Sequence, residues 1–207
     1  MLLRTVLLIL ISISSVYCIP IFENKLKYGK LQAYDQIQII RTEWQIDSFP
    51  RFLKSCQMHK VSWDMMRLRF MEIILRSYIH PHMASSFIIS FLGSSVTAGQ
   101  DIDIKLAYPY IIEEYLRPLF DILGIRYEIR SLGFTNSACM PFNSCVSSLA
   151  GYDVDMILSE HSYDCFDETM YEQLARQASF LPKKPLIAFV ESATSNWYVA
   201  LGDIGLD

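Results

Sequence analysis

The stretch Phe87-Ile88-Ile89-Ser90-Phe91-Leu92, closed by Gly93, has neither the two-residue alternation of a half-exposed strand nor the length of a helix. A short apolar run of this kind reads as a strand buried on both faces, and such strands belong to parallel sheets covered by helices on either side. The chain beyond it keeps to that plan. Ile111, Tyr115, Leu119 and Ile122 mark a helix ending at Gly124, with Pro118 expected to kink or restart it. Ile125 to Leu132 reads as a second strand, Val154 to Ser159 as a third, Glu168 to Ala178 as a helix and Leu186 to Val190 as a fourth strand. This order predicts an α/β fold with a parallel sheet, whose ligands sit at the carboxyl ends of the strands. The residues that directly follow each strand are therefore the ones to inspect.

Residues 1–18 read as a cleaved secretory signal: Arg4 precedes the apolar run Val6 to Ile13, and Val16-Tyr17-Cys18 suits cleavage before Ile19. The run is too short to span a bilayer, and no other segment approaches a stable membrane span. Residues 19–85 read as a helical N-terminal extension and 86–207 as the main domain. Within the extension, Trp63, Met66, Phe70 and Ile73 form an amphipathic stripe with Ser62 as expected N-cap, ended by His80-Pro81-His82. A weaker helical pattern runs from Leu31 to Ile46 and is broken at Phe49-Pro50.

Charge and cysteines narrow the functional classes. With 18 Lys+Arg against 22 Asp+Glu, the chain lacks the cationic excess that neutralises phosphates, so no nucleic-acid partner is expected. If Cys18 leaves with the signal, Cys56, Cys139, Cys145 and Cys165 remain, an even set that fits an oxidising, secretory location. Of the three possible connectivities, Cys139 with Cys145 and Cys56 with Cys165 is favoured, because the first pair closes a short loop around Pro141. No CxxC or HExxH spacing occurs, so no metal and no cofactor is expected. There is also no Asn-x-Ser/Thr acceptor for N-glycosylation.

Directly after the first strand stands Gly93-Ser94-Ser95-Val96-Thr97-Ala98-Gly99. A turn of small residues between strand and helix presents a hydroxyl at the sheet edge, next to backbone N–H groups that stabilise developing negative charge. It lacks both the lysine of the G-x-x-x-x-G-K-[ST] loop and the G-x-G-x-x-G spacing, which sets nucleotide binding aside. The turn resembles the first block of the SGNH, or GDSL-type, hydrolases, Gly-Asp-Ser-x-Thr-x-Gly. More narrowly, residues 60 to 200 are similar to eukaryotic secreted proteins with an SGNH-type esterase domain, which share a Trp-Asp helix, this turn and a cysteine-bearing second block.

The resemblance implies a three-layer flavodoxin-like sheet with Ser95 as nucleophile and its own N–H as one oxyanion donor. Gly133, after the second strand, would supply another N–H. In the third block this chain reads Ser159-Glu160-His161-Ser162-Tyr163-Asp164-Cys165, with Asp164 where the family has asparagine. An ionised aspartate accepts and cannot donate to an oxyanion, and loss of one donor costs ~10²–10³ in rate. The family's C-terminal Asp-x-x-His has no counterpart here; the histidines are His59, His80, His82 and His161. The expectation is a partial chain lacking the last strand and helix of the fold, since a sheet left with four strands exposes an apolar edge. Within the chain, His161 at the end of the third strand is the substitute base to weigh, with Glu160 or Asp164 orienting its ring. Asn136 and Asn143 are further candidate donors, and Tyr163 and Trp197 candidate groove residues. Asp101 and Asp103 read as helix-entry acids without chemistry. The expected activity is a secreted serine esterase acting on acetylated carbohydrate or simple lipid esters. The alternative is an inactive binding protein of the same fold that has lost its base and its oxyanion asparagine.

Overall fold

A computed structural model of the chain describes residues 20–43, 60–79, 86–136, 139–161, 165 and 168–190. The expected signal segment, Cys56, Tyr163, Asp164 and Trp197 lie outside them. Among the described residues the chain divides into two compact units, one holding the two N-terminal helices with Arg117–Ile125, the other holding Ser86–Leu116 and residues 126–190.

The second unit is built on a parallel sheet of four strands: β1 (Ser86–Gly93), β2 (Arg126–Gly133), β3 (Met156–Glu160) and β4 (Leu186–Phe189), in the order β2-β1-β3-β4. This is the α/β class expected, with helices flanking the sheet. Every residue of β1 from Phe87 to Gly93 is buried, as its unbroken apolar run requires. Alternation along the strand sends its side chains to two faces. Leu92 joins Ile157 of β3 in a cluster with Val146 and Ala150 of α5 (Val146–Ala150) and Leu174, Ala178 and Leu181 in and after α6 (Glu168–Ser179). On that same face Ser90 Oγ donates to the Ala150 carbonyl at 2.9 Å, which satisfies the one hydroxyl in the run. The other face carries Phe91, whose ring meets Tyr108 edge-on at 5.7 Å between centroids.

Two short helical elements, α3 (Ser95–Ala98) and a 3₁₀ turn at Ile104–Leu106, follow β1 and lead into α4 (Tyr108–Ile122). The helix α4 runs through Pro118 without a restart. A proline inside a helix costs about 3 kcal/mol, and burial of Leu116, Leu119 and Phe120, each contributing about 1.5–3 kcal/mol, offsets it. Asp103 caps the 3₁₀ turn through a 3.0 Å bond from the Lys105 N–H, the structural role expected of it.

Two polar clusters tie the sheet together away from its carboxyl edge. Arg130 of β2 forks onto both carboxylate oxygens of Asp153 at 2.7 and 3.0 Å and donates to the Ala150 carbonyl at 2.9 Å. The hydrogen bond from Arg130, and then its charge, hold the Asp153 carboxyl below the usual aspartate range. Buried Asp155, just before β3, accepts from the Ile88 N–H at 3.0 Å and from Lys183 at 2.9 Å.

In the first unit, α1 (Pro20–Glu43) buries Ala33 and Ile37, one helical turn apart, and α2 (Lys60–Ile79) buries Met66, Phe70, Ile73 and Ile74. Met66, Phe70 and Ile73 belong to the amphipathic stripe read from the sequence; the side chain of its fourth member, Trp63, lies outside the described ones. Phe70 lies 6.4 Å from Phe120 at the end of α4. Ser62 is inside α2 and not its N-cap, because the helix begins two residues earlier at Lys60. No described helix is long and apolar enough to cross a membrane.

The disulfide pairing differs from the expected one. Cys139 is joined to Cys165 with a Cα–Cα distance of 5.6 Å, and Cys145 is a free, exposed thiol. Both favoured pairs, Cys139–Cys145 and Cys56–Cys165, are thereby excluded. Closeness in sequence misled, because the chain between Cys139 and Cys145 is wound into a helical turn broken at Met140. Cys139 faces inward at 0% exposure beside Met170, while Cys145 stands at the entry of α5 and faces solvent.

Candidate active site

Three strand ends meet in register at the carboxyl edge. Gly93 of β1 is paired with Gly133 of β2 on one side and with Glu160 of β3 on the other. The chain leaves β1 through Ser94, whose φ of −88° and ψ of −153° are extended, and enters α3 at Ser95. Ser94 is buried at 2%, whereas Ser95 is half-buried and Val96 is exposed. Of the two adjacent serines, Ser95 is therefore the one with access to solvent. The helix ends at Gly99 in the left-handed region, φ 70°, which a side chain adopts only with strain.

Gly133 is held against this turn by close backbone approach. A Cβ built there would lie 2.2 Å from the Ala98 nitrogen and 2.5 Å from the Thr97 carbonyl carbon. The Phe134 N–H then donates to the Gly93 carbonyl at 3.0 Å, which continues the pairing one residue past the strands. The structure thus brings Gly133 beside the turn that carries Ser95.

Glu160 is buried at 1%, and its carboxylate oxygen Oε2 accepts two hydroxyls, Ser94 Oγ and Thr97 Oγ1, both at 3.1 Å. Thr97 Oγ1 also lies 2.9 Å from the Tyr108 hydroxyl. The Ser94 N–H points to the Glu160 carbonyl at 3.4 Å. Oε2 of Glu160, the residue weighed from sequence as a support for the His161 ring, holds the serine turn. The Gly-rich block already contained Ser94 and Thr97, but nothing in local spacing linked them to a residue more than sixty positions away. The part played by Tyr108 carried no sequence signal at all.

His161 follows Glu160 immediately and is buried at 2%. Its ring stacks on Phe142 at 6.0 Å, and Phe142 stacks on Phe134 at 5.1 Å, so an aromatic column rises beside the end of β2. The Cys165 N–H donates to the His161 carbonyl at 2.9 Å, and the Cys139–Cys165 disulfide ties the third block to the segment that carries Phe142. Asn143 is buried and donates to the Met170 carbonyl at 2.6 Å, a bond that commits its amide to α6. Asn136 occupies a left-handed turn position, φ 54°, which asparagine tolerates well. Asp164, Tyr163 and Trp197 lie outside the described residues. Among the described residues, no group of three or more His, Cys, Asp or Glu side chains is arranged to hold a metal ion.

No family model matches the chain, and no curated protein matches it. Among solved structures, a two-domain esterase active on acetylated mannans, co-crystallised with mannopentaose, is similar over 59% of this chain and 33% of that one, at 19% identity and a TM-score of 0.47. A second structure of a two-domain esterase active on acetylated mannans matches over 57% of this chain and 33% of that one, at 20% identity and a TM-score of 0.43. The matched part covers a third of either esterase.

Proposed function

We propose that the chain is part of a secreted serine ester hydrolase of SGNH type acting on carboxylic esters, with acetylated carbohydrate and simple lipid esters as the substrate classes. The observation that carries this reading is the register of Gly93, Gly133 and Glu160, which sets a half-buried serine at the first position of a helix on the carboxyl edge of a parallel sheet. That edge is where open α/β sheets take their ligands. Ser95 Oγ attacks the ester carbonyl as the base takes its proton, the N–H groups of Ser95 and Gly133 receive the oxyanion, the alcohol leaves with that proton, and water then releases the acyl group from the serine as the acid. Within this chain His161, which follows Glu160 at the end of β3 next to β1, is the base assigned to Ser95, since a serine and its base need not keep one order in sequence.

Hydrolysis of p-nitrophenyl acetate by the purified chain, Ser95→Ala and His161→Ala tests these roles. Loss of activity in both variants supports the assignment. Loss with Ser95→Ala alone removes His161 from it. A rate equal to buffer in the wild-type chain removes His161 from the assignment and supports an incomplete site, in which Asp164 stands in place of an oxyanion donor.

A further inference from the structure

We infer that Glu160 is the positioning residue of the site: it acts through Ser94 and Thr97 and fixes the turn that presents Ser95. The inference rests on the reading of Ser95 as nucleophile given above. One carboxylate oxygen takes the hydroxyls of the residue before Ser95 and of the residue two after it, each at 3.1 Å. The Glu160 carbonyl takes the Ser94 N–H as well, so a single residue of β3 grips the turn on both sides of the nucleophile.

The direction of each bond follows from the donors available. Thr97 has one hydroxyl hydrogen, and it goes to Glu160; the Tyr108 hydroxyl, 2.9 Å away, must then donate to Thr97 Oγ1. Tyr108 is itself set by its edge-on contact with Phe91 of β1. A directional chain therefore runs from Tyr108 to Thr97 to Glu160, with Ser94 as the second donor. Ser94, Thr97 and Glu160 are buried, so loss of a partner among them leaves a polar group in a region where that is costly.

Gly93 supplies an independent sign that this arrangement is built. A Cβ at Gly93 would lie 1.8 Å from Thr97 Oγ1 and 3.1 Å from the Glu160 carbonyl oxygen. Only glycine leaves room for the threonine hydroxyl to reach the carboxylate. The first glycine of the block, its threonine and the glutamate of the third block thus form one interlocked unit, and the function of that unit is the placement of Ser95.

The test combines two measurements on the purified chain: the rate at which a fluorophosphonate probe labels Ser95, and hydrogen–deuterium exchange of the peptide covering residues 94–99. Thr97→Val keeps the shape and removes the hydroxyl, Thr97→Ser restores it, and Glu160→Gln keeps the size of the acceptor while removing its charge. Misplacement of a reacting group by about 1 Å can cost ~10²-fold, so Thr97→Val is expected to slow labelling by roughly 10- to 10²-fold. Thr97→Ser should stay within a few-fold of wild type. Exchange should rise in the 94–99 peptide of Thr97→Val and Glu160→Gln and remain unchanged elsewhere. Equal losses in Thr97→Val and Thr97→Ser, wild-type exchange in both Thr97→Val and Glu160→Gln, or faster exchange throughout the chain would each overturn the inference. Absence of labelling in the wild-type chain would count against the esterase reading alone, because the exchange comparison decides the grip of Glu160 without it. Should Thr97→Val fail to fold, Glu160→Gln carries the same comparison.

Discussion

Gly133→Ala is the substitution for which the structure specifies the damage most closely. The new Cβ would lie 2.2 Å from the Ala98 nitrogen and 2.5 Å from the Thr97 carbonyl carbon, where ordinary contact begins at 3.4 Å. Both atoms are backbone, so no side-chain rotation relieves the clash, and α3 must retreat by roughly 1 Å from β2. Overpacking of this kind costs about 1–3 kcal/mol, and for a chain of this length each kcal/mol shifts Tm by about 2–4 °C. The expected fall in Tm is therefore roughly 2–12 °C, and because Ser95 opens α3, probe labelling should drop by up to ~10²-fold. Gly124→Ala is the control. Nothing lies within 4 Å of its Cβ position, but its φ of +66° costs an alanine about 1–2 kcal/mol. It should lower Tm and leave labelling alone. The reasoning fails if Gly133→Ala melts and labels like wild type, or if Gly124→Ala slows labelling as much as Gly133→Ala does.

Three further outcomes are expected. Under native, non-reducing conditions Cys145 should alkylate while Cys139 and Cys165 stay protected, and a digest should show the last two in one linked peptide pair; alkylation of Cys139 or Cys165 would refute that connectivity. Asp153→Asn should lower stability by no more than about 1 kcal/mol at neutral pH, since the pair is partly exposed. The folded Asp153 carboxyl lies below its ordinary value, so its contribution is fully present above the usual aspartate range. Denaturant melts should show the contribution fading as pH falls through the lowered value. Lys183→Met should destabilise by about 1–3 kcal/mol, because Asp155 keeps its bond from the Ile88 N–H but loses its charged partner Lys183 in a buried setting; an unchanged denaturation midpoint would contradict this.

The sheet was legible because its signals are local. Phe87 to Leu92 has no exposed position to interrupt it, and the strands that follow are each bounded by Gly, Pro or polar residues, so strand boundaries fall within two residues of those read from the sequence. The short elements were not legible: α3, α5 and the broken turn at Cys139–Phe142 are too brief for periodicity to mark them. The cysteines show the same limit in another form. Cys139 and Cys145 are neighbours along the chain, but Cys165 reaches Cys139 only because β3 returns the third block to the edge of the sheet. Glu160 could be placed at the end of a strand from sequence alone. Its grip on Ser94 and Thr97 depends on β1 and β3 being adjacent with Gly93 opposite Glu160, which is a property of register.

Mapping the site of fluorophosphonate attachment by mass spectrometry tests the central claim most directly, because the two serines of the turn differ in what they do. Ser94 is buried with its hydroxyl committed to Glu160, whereas Ser95 is half-buried at the start of α3. The account predicts a single adduct on Ser95, abolished by Ser95→Ala and retained in Ser94→Ala at a reduced rate. An adduct on Ser94, or labelling that persists at full rate in Ser95→Ala, would contradict it.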